Sequence, residues 1–129
     1  MARVLIVEDE LLSARVLSTA LTRGGHEVRL AARADEAIRV GNDFEPEVLI
    51  SDWMLKSEQT GADVARELQR VFPDLGVLLI TGLGASELRE ETGGVRVFKI
   101  LEKPCGLDEV LGAVDDCLAS VQAQRGGAA

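Results

Sequence analysis

The chain alternates short aliphatic runs with longer amphipathic segments. Residues 4–7, 48–50 and 76–80 form continuously apolar runs. A run of this length without polar alternation is typical of a parallel strand that is covered on both faces. Residues 26–31 and 95–101 carry weaker strand patterns. The apolar pattern therefore predicts five strands.

Helical patterns lie between and after these strands, with apolar residues spaced to share one face. Gly24 and Gly25 close the first helical pattern, and Pro73 closes the third. Regular alternation of strands and helices predicts an α/β fold with a doubly wound parallel sheet. The predicted helices are residues 11–21, 34–40, 62–71 and 107–121, with a weaker helix over 86–91.

Length and composition fit one globular domain. The chain has 129 residues, of which 47% are hydrophobic. We expect the domain to occupy residues 1–122 and residues 123–129 to form a frayed tail. No apolar run approaches the roughly 18 residues of a membrane-spanning helix, and the N-terminus lacks a signal-peptide pattern. These features predict a cytoplasmic protein without a membrane partner.

The charge balance is acidic, with 22 Asp and Glu against 14 Lys and Arg and a net charge of -8. Binding to a nucleic-acid backbone needs clustered positive charge, so we expect no direct nucleic-acid contact. The two cysteines, Cys105 and Cys117, lack metal-ligand or redox spacing and are expected to be reduced packing residues.

Chemically useful side chains follow the predicted strands. In open α/β sheets, ligands bind beyond the carboxyl ends of the strands, so these side chains should meet at one edge. Carboxylates placed this close repel each other unless a cation lies between them, and Mg²⁺ prefers such hard oxygen ligands. A carboxylate is also a known nucleophile in phosphoryl transfer. The strand-end residues are Glu8, Asp9, Asp52, Thr81 and Lys103.

In their order and spacing these residues resemble the receiver domain of response regulators in bacterial two-component systems. The matching motifs are Glu8-Asp9, Asp52, Thr81-Gly82 and Lys103-Pro104, and the resemblance covers residues 3–122. It implies a flavodoxin-like fold with strand order 2-1-3-4-5.

The resemblance also implies a role for each matching residue. Asp52 would accept a phosphoryl group. Thr81, Gly82, Lys103 and Pro104 would form the phosphoryl-contacting and switch positions. The implied Mg²⁺ ligands are Glu8 (through water), Asp9, Asp52 and the backbone carbonyl of Met54.

Several positions depart from the family pattern. Ile100 stands where the family commonly has an aromatic switch residue, so coupling between Thr81 and a ring is not expected. Met54 and Leu83 occupy positions that flank the hydrolytic water in the family. Because both are apolar, we predict slow loss of the phosphoryl group. Trp53, next to Asp52, is expected to be exposed.

The resemblance predicts a phosphorylation-dependent signalling module rather than an enzyme. Its donor would be a histidine kinase or a histidine phosphotransfer protein, and its downstream target is a further protein. The predicted fourth helix, fifth strand and fifth helix would form the surface that changes, and the same face is the candidate surface for a homodimer.

Two alternatives belong to other classes of function. One is an aspartate-based phosphohydrolase, which usually has a second Asp where this chain has Met54. The other is an interaction module that keeps the fold but acts without phosphorylation; Ile100 leaves this alternative open.

Overall fold

The computed structural model describes residues 2–55, 58–82 and 94–127. Within these residues, five parallel strands form one sheet in the order β2-β1-β3-β4-β5. The predicted fold class and strand order are confirmed. The strands are β1 (Arg3–Val7), β2 (Glu27–Ala31), β3 (Val48–Asp52), β4 (Gly76–Thr81) and β5 (Lys99–Glu102).

Four helices are described, and they are numbered here in chain order. They are α1 (Leu11–Arg23), α2 (Ala34–Phe44), α3 (Gly61–Val71) and α4 (Leu107–Gly127). The weak helix predicted over 86–91 lies outside the described residues, so α4 is the predicted fifth helix. No helix in the described ranges is both long and apolar enough to cross a membrane.

The sheet separates two apolar clusters because neighbouring side chains of a strand point to opposite faces. On β1, Leu5 and Val7 join the cluster under α2 and α3, whereas Val4 and Ile6 join the cluster under α1 and α4. All four side chains are at most 1% exposed. The continuous apolar runs therefore arise from a sheet that is covered on both faces.

The cysteines are free thiols. Cys117 is completely buried on α4, and its burial raises the pKa of the thiol to about 11. Cys105 is half-buried. Both observations agree with the predicted reduced, packing roles.

Three predicted element boundaries differ from the structure by four residues or more. The first is the end of α2, which lies at Phe44 instead of residue 40. β5 begins at Lys99 instead of residue 95, because the side chain of Gln69 binds the backbone of Arg96 through two hydrogen bonds of 2.8 and 3.1 Å. α4 continues past its predicted end at residue 121 as far as Gly127. Gln, Ala and Arg, which fill residues 122–125, all have high helix propensity.

Candidate functional site

The carboxyl ends of β1 and β3 bring three carboxylates together. One carboxylate oxygen from each of Glu8, Asp9 and Asp52 lies within 4.8 Å of the others. Asp52 is the last residue of the central strand β3 and is only 5% exposed. The positions of these residues after the predicted strands indicate this juxtaposition, and it is confirmed.

Burial beside Asp52 changes the protonation of Glu8. Burial, and then the adjacent Asp52 carboxylate, raises the pKa of Glu8 to about 7. A raised carboxyl pKa means that full negative charge at this edge is costly. A hard divalent cation would offset that cost better than a proton, so the donor set fits Mg²⁺.

Lys103 supplies the positive charge on the other side of Asp52. Its Nζ lies 2.9 Å from Asp52 Oδ1, and its side chain is 48% exposed. Burial lowers the pKa of Lys103, but the contact with Asp52 and the charges of Asp52, Glu8 and Glu10 outweigh burial and raise it. Lys103 is therefore a permanent cation beside the buried carboxylate.

Asp52 Oδ1, the oxygen that pairs with Lys103, is buried. Among the described residues, no hydrogen bond of good geometry reaches this buried oxygen. A buried carboxylate oxygen normally accepts hydrogen bonds or binds a cation. The oxygen thus keeps acceptor capacity for a ligand at the edge of the sheet.

Thr81 and the backbone of β5 complete the edge. Thr81 ends β4 and is 2% exposed, and its carbonyl accepts a hydrogen bond of 2.7 Å from the Lys103 amide. This bond ties the end of β4 to the start of the segment that carries Lys103. The Lys103-Pro104 peptide bond is cis.

The chain after Asp52 turns back to α3 through a closed loop. The Trp53 amide donates to the Ile80 carbonyl at 2.8 Å, and the Gly61 amide donates to the Trp53 carbonyl at 2.9 Å. Met54 and Thr60 form an isolated antiparallel bridge across the base of the loop. The position of Asp52 is therefore fixed by backbone contacts on both sides.

Gly61 is a positioning residue that the sequence analysis missed. A Cβ atom at this position would lie 2.3 Å from the Asp52 carbonyl oxygen, so only glycine allows this approach. Thr60 and Asp63 form a capping box at the start of α3. The Thr-Gly-Ala-Asp sequence before an amphipathic segment is the signal that could have revealed this helix start.

Trp53 was expected to be exposed, and this prediction is wrong. Its side chain is 5% exposed and lies in the apolar cluster under α2 and α3. The closed loop directs the residue after Asp52 inward, where the indole gains apolar contacts.

Two of the three positions that depart from the family pattern, Ile100 and Met54, lie within the described residues. Ile100 is half-buried and packs against the cluster under α2 and α3, so no aromatic ring occupies this switch position. Met54, two residues after Asp52, is 67% exposed. Leu83 lies outside the described residues, and the contribution of the Met54 carbonyl to a metal site stays a prediction.

Comparison with known proteins establishes the family. The sequence profile of the response regulator receiver domain matches residues 4–115. The chain belongs to the response regulator receiver domain family.

Among curated relatives, GlrR, a transcriptional regulatory protein of Escherichia coli K12, is 31% identical over 117 residues. This match covers 91% of the chain but only 26% of GlrR, so the chain spans about a quarter of that relative. The receiver protein CpdR of Brucella abortus is 28% identical, with 92% of this chain and 98% of CpdR covered.

Solved structures agree with the fold. The crystal structure of NtrX from Brucella abortus superposes with a TM-score of 0.87 and 27% identity, covering 98% of this chain and 29% of that one. A receiver domain from Clostridium thermocellum gives a TM-score of 0.83 at 23% identity, covering 96% of this chain and 99% of the other.

Proposed function

We propose that this receiver domain takes a phosphoryl group from a phosphohistidine donor onto Asp52 in an Mg²⁺-dependent reaction. The position of Asp52 carries the proposal. Its carboxylate is buried at the end of the central strand, between two acids and the Lys103 ammonium at 2.9 Å. A nearly buried carboxylate that lies beside other carboxylates at a ligand-binding edge is typical of a functional site.

The proposed transfer exchanges one bond for another. An oxygen of the Asp52 carboxylate attacks phosphorus, the P–N bond of the donor breaks, and the imidazole leaves with the electron pair and takes up a proton. Lys103 is placed to leave the carboxylate and pair with the phosphoryl oxygens, which stabilises their charge. The Thr81 hydroxyl is the proposed donor to the same oxygens.

Glu8, Asp9, Asp52 and the Met54 carbonyl are the proposed holders of Mg²⁺, with Glu8 acting through water. When bound, Mg²⁺ neutralises charge between the acids and the incoming phosphoryl oxygens. The raised pKa of Glu8, about 7, supports this assignment because burial and the contact with Asp52 disfavour its charged form, which a nearby cation would stabilise.

A groove beside the acids supports docking of a protein donor. It has a volume of about 650 Å³ and runs from Glu8 and Lys103 along the space between α1 and α4. Leu12 and Val16 on its α1 side are 74% and 57% exposed. We propose that a histidine kinase or a histidine phosphotransfer protein docks here.

Transmission of the signal is proposed to differ from that of family members with a ring at position 100. Ile100 is held against the core, so a ring cannot move between a buried and an exposed state. Ile100 also favours one alternative, an interaction module that works without phosphorylation. The two functions differ in whether Asp52 is modified.

Intact-mass measurement after incubation with acetyl phosphate and Mg²⁺ tests the proposal. We expect one added phosphoryl group on the parent chain and none on Asp52→Asn. Asp116→Asn changes an exposed acid on α4 and should label like the parent. Labelling of Asp52→Asn would overturn the assignment, and an unlabelled parent that still binds its partner would favour the alternative.

A further inference from the structure

Three arginines surround a second cavity at the far end of α3. The cavity has a volume of about 380 Å³. Arg66 and Arg70 lie four residues apart on α3 and so share one helical face. The described residues that line the cavity are Arg66, Gln69, Arg70, Pro73, Gly94 and Arg96.

Arg96 is held firmly at this cavity. Gln69 Nε2 donates to the Arg96 carbonyl at 2.8 Å, and the Arg96 amide donates to Gln69 Oε1 at 3.1 Å. The guanidinium of Arg96 donates to the Pro73 carbonyl. These contacts fix both ends of the residue before a ligand arrives, which lowers the entropic cost of binding.

The local charge is opposite to that of the whole chain, whose net charge is -8. Every charged residue that is described as lining the cavity is an arginine. Asp63 pairs with Arg66 at 2.8 Å and Glu67 pairs with Arg70 at 3.3 Å, but neither acid lines the cavity. Among the described residues, no acid lies within ion-pair distance of Arg96.

We propose that this cavity binds a phosphate-type anion, either inorganic or carried by a small molecule. A guanidinium presents a planar fork of donors that matches phosphate oxygens and can pair with them while keeping an existing ion pair. A bound dianion would also reduce the repulsion among the three arginines.

This site is separate from the proposed phosphoacceptor. α3 begins at Gly61 beside Asp52, and Arg70 lies nine residues further along the helix, a rise of about 14 Å. Binding at the two sites can therefore be told apart by position and by mutation.

Titration of the ¹⁵N-labelled, metal-free chain with inorganic phosphate, pyrophosphate and adenosine monophosphate tests the proposal. We expect saturable shifts of the Gln69 and Arg96 amides in the parent and in Asp52→Asn. Arg70→Gln and Arg96→Gln should each weaken binding about tenfold, the loss of one charge-assisted contact. Arg39→Gln removes an exposed charge on α2 and should change affinity less than about twofold.

The side chain of Arg70 is 68% exposed, so Arg70→Gln should keep the fold and remain informative if Arg96→Gln does not. The tightest of the three probes identifies the phosphate source. The proposal fails if no probe gives saturable shifts, if shifts occur only near Asp52 and vanish in Asp52→Asn, or if Arg39→Gln weakens binding as much as Arg70→Gln.

Discussion

The Nζ atom of Lys103 lies 2.9 Å from Oδ1 of Asp52, across the gap between the ends of β5 and β3. The Asp52 side chain is 5% exposed and the Lys103 side chain is 48% exposed, so the acid depends on this partner more than the lysine does. Removal of one member of such a pair leaves the buried member without compensation.

Lys103→Gln is expected to lower the free energy of unfolding by about 1–2 kcal/mol in metal-free buffer. This is less than the roughly 3–5 kcal/mol lost when a fully buried ion pair is broken, because the lysine is half-exposed. Urea denaturation measures this change. Lys99→Gln removes an exposed lysine on β5 and serves as the control. Added Mg²⁺ should shrink the loss, and an equal loss in Lys99→Gln would show that the Asp52 contact contributes nothing.

Gly61→Ala should destabilise the chain and slow its labelling. The new Cβ would meet the Asp52 carbonyl oxygen at 2.3 Å, and we expect a cost of about 1–3 kcal/mol from overpacking. Gly112→Ala places a methyl group in open space on α4 and should instead stabilise by roughly 0.5–1 kcal/mol. Thermal unfolding and the acetyl phosphate labelling rate distinguish the two variants; normal labelling of Gly61→Ala would contradict its positioning role.

The capping box gives a pH dependence that can be isolated with Asp63→Asn. The hydrogen bond from the Thr60 amide, with the pair to Arg66, holds the pKa of Asp63 below its ordinary value of 3.8 despite some burial. The unfolded chain therefore takes up this proton first as the pH falls. The stability due to Asp63 is present above that ordinary value and is lost as the pH falls through the lowered one.

Urea denaturation of the parent and Asp63→Asn, repeated from about pH 6 to about pH 3, measures this contribution. The parent should be more stable at the upper pH, and the difference should narrow at the lower one. A difference that is constant with pH would mean that the Asp63 charge is not involved.

Trp53 should report metal binding because it is the only tryptophan and is buried directly after Asp52. We expect a saturable change in indole fluorescence on addition of Mg²⁺, with Asp9→Asn and Asp52→Asn greatly reducing the response. Asp116→Asn should behave like the parent. A response that survives both site variants would place the cation elsewhere.

The phosphoryl group on Asp52 should be long-lived, because the exposed Met54 side chain cannot orient a hydrolytic water. Met54→Asn should accelerate its loss roughly tenfold, less than the 10²–10⁴ of a fully positioned acid or base. Decay of the labelled protein, followed by mass spectrometry, measures both rates. A parent lifetime of seconds, or no acceleration in Met54→Asn, would contradict this explanation.

The sequence predicts the strands and the acid cluster well because both depend on position along the chain. A continuous apolar run identifies a covered strand, and the residue after it must lie at the edge where Asp9 and Asp52 meet. The burial of Trp53 depends on which way a loop turns. The start of β5 depends on a contact between Gln69 and Arg96, 27 residues apart. A local pattern contains neither kind of information.

The length and direction of α4 have a practical consequence for measurements on this protein. The helix starts just after Lys103 and runs for 21 residues, about 31 Å, away from the edge that holds Asp52. An affinity tag or dye attached after Gly127 would therefore sit at the opposite end of the domain. Immobilisation through that end should leave the acidic edge and the neighbouring groove open to a soluble phosphodonor.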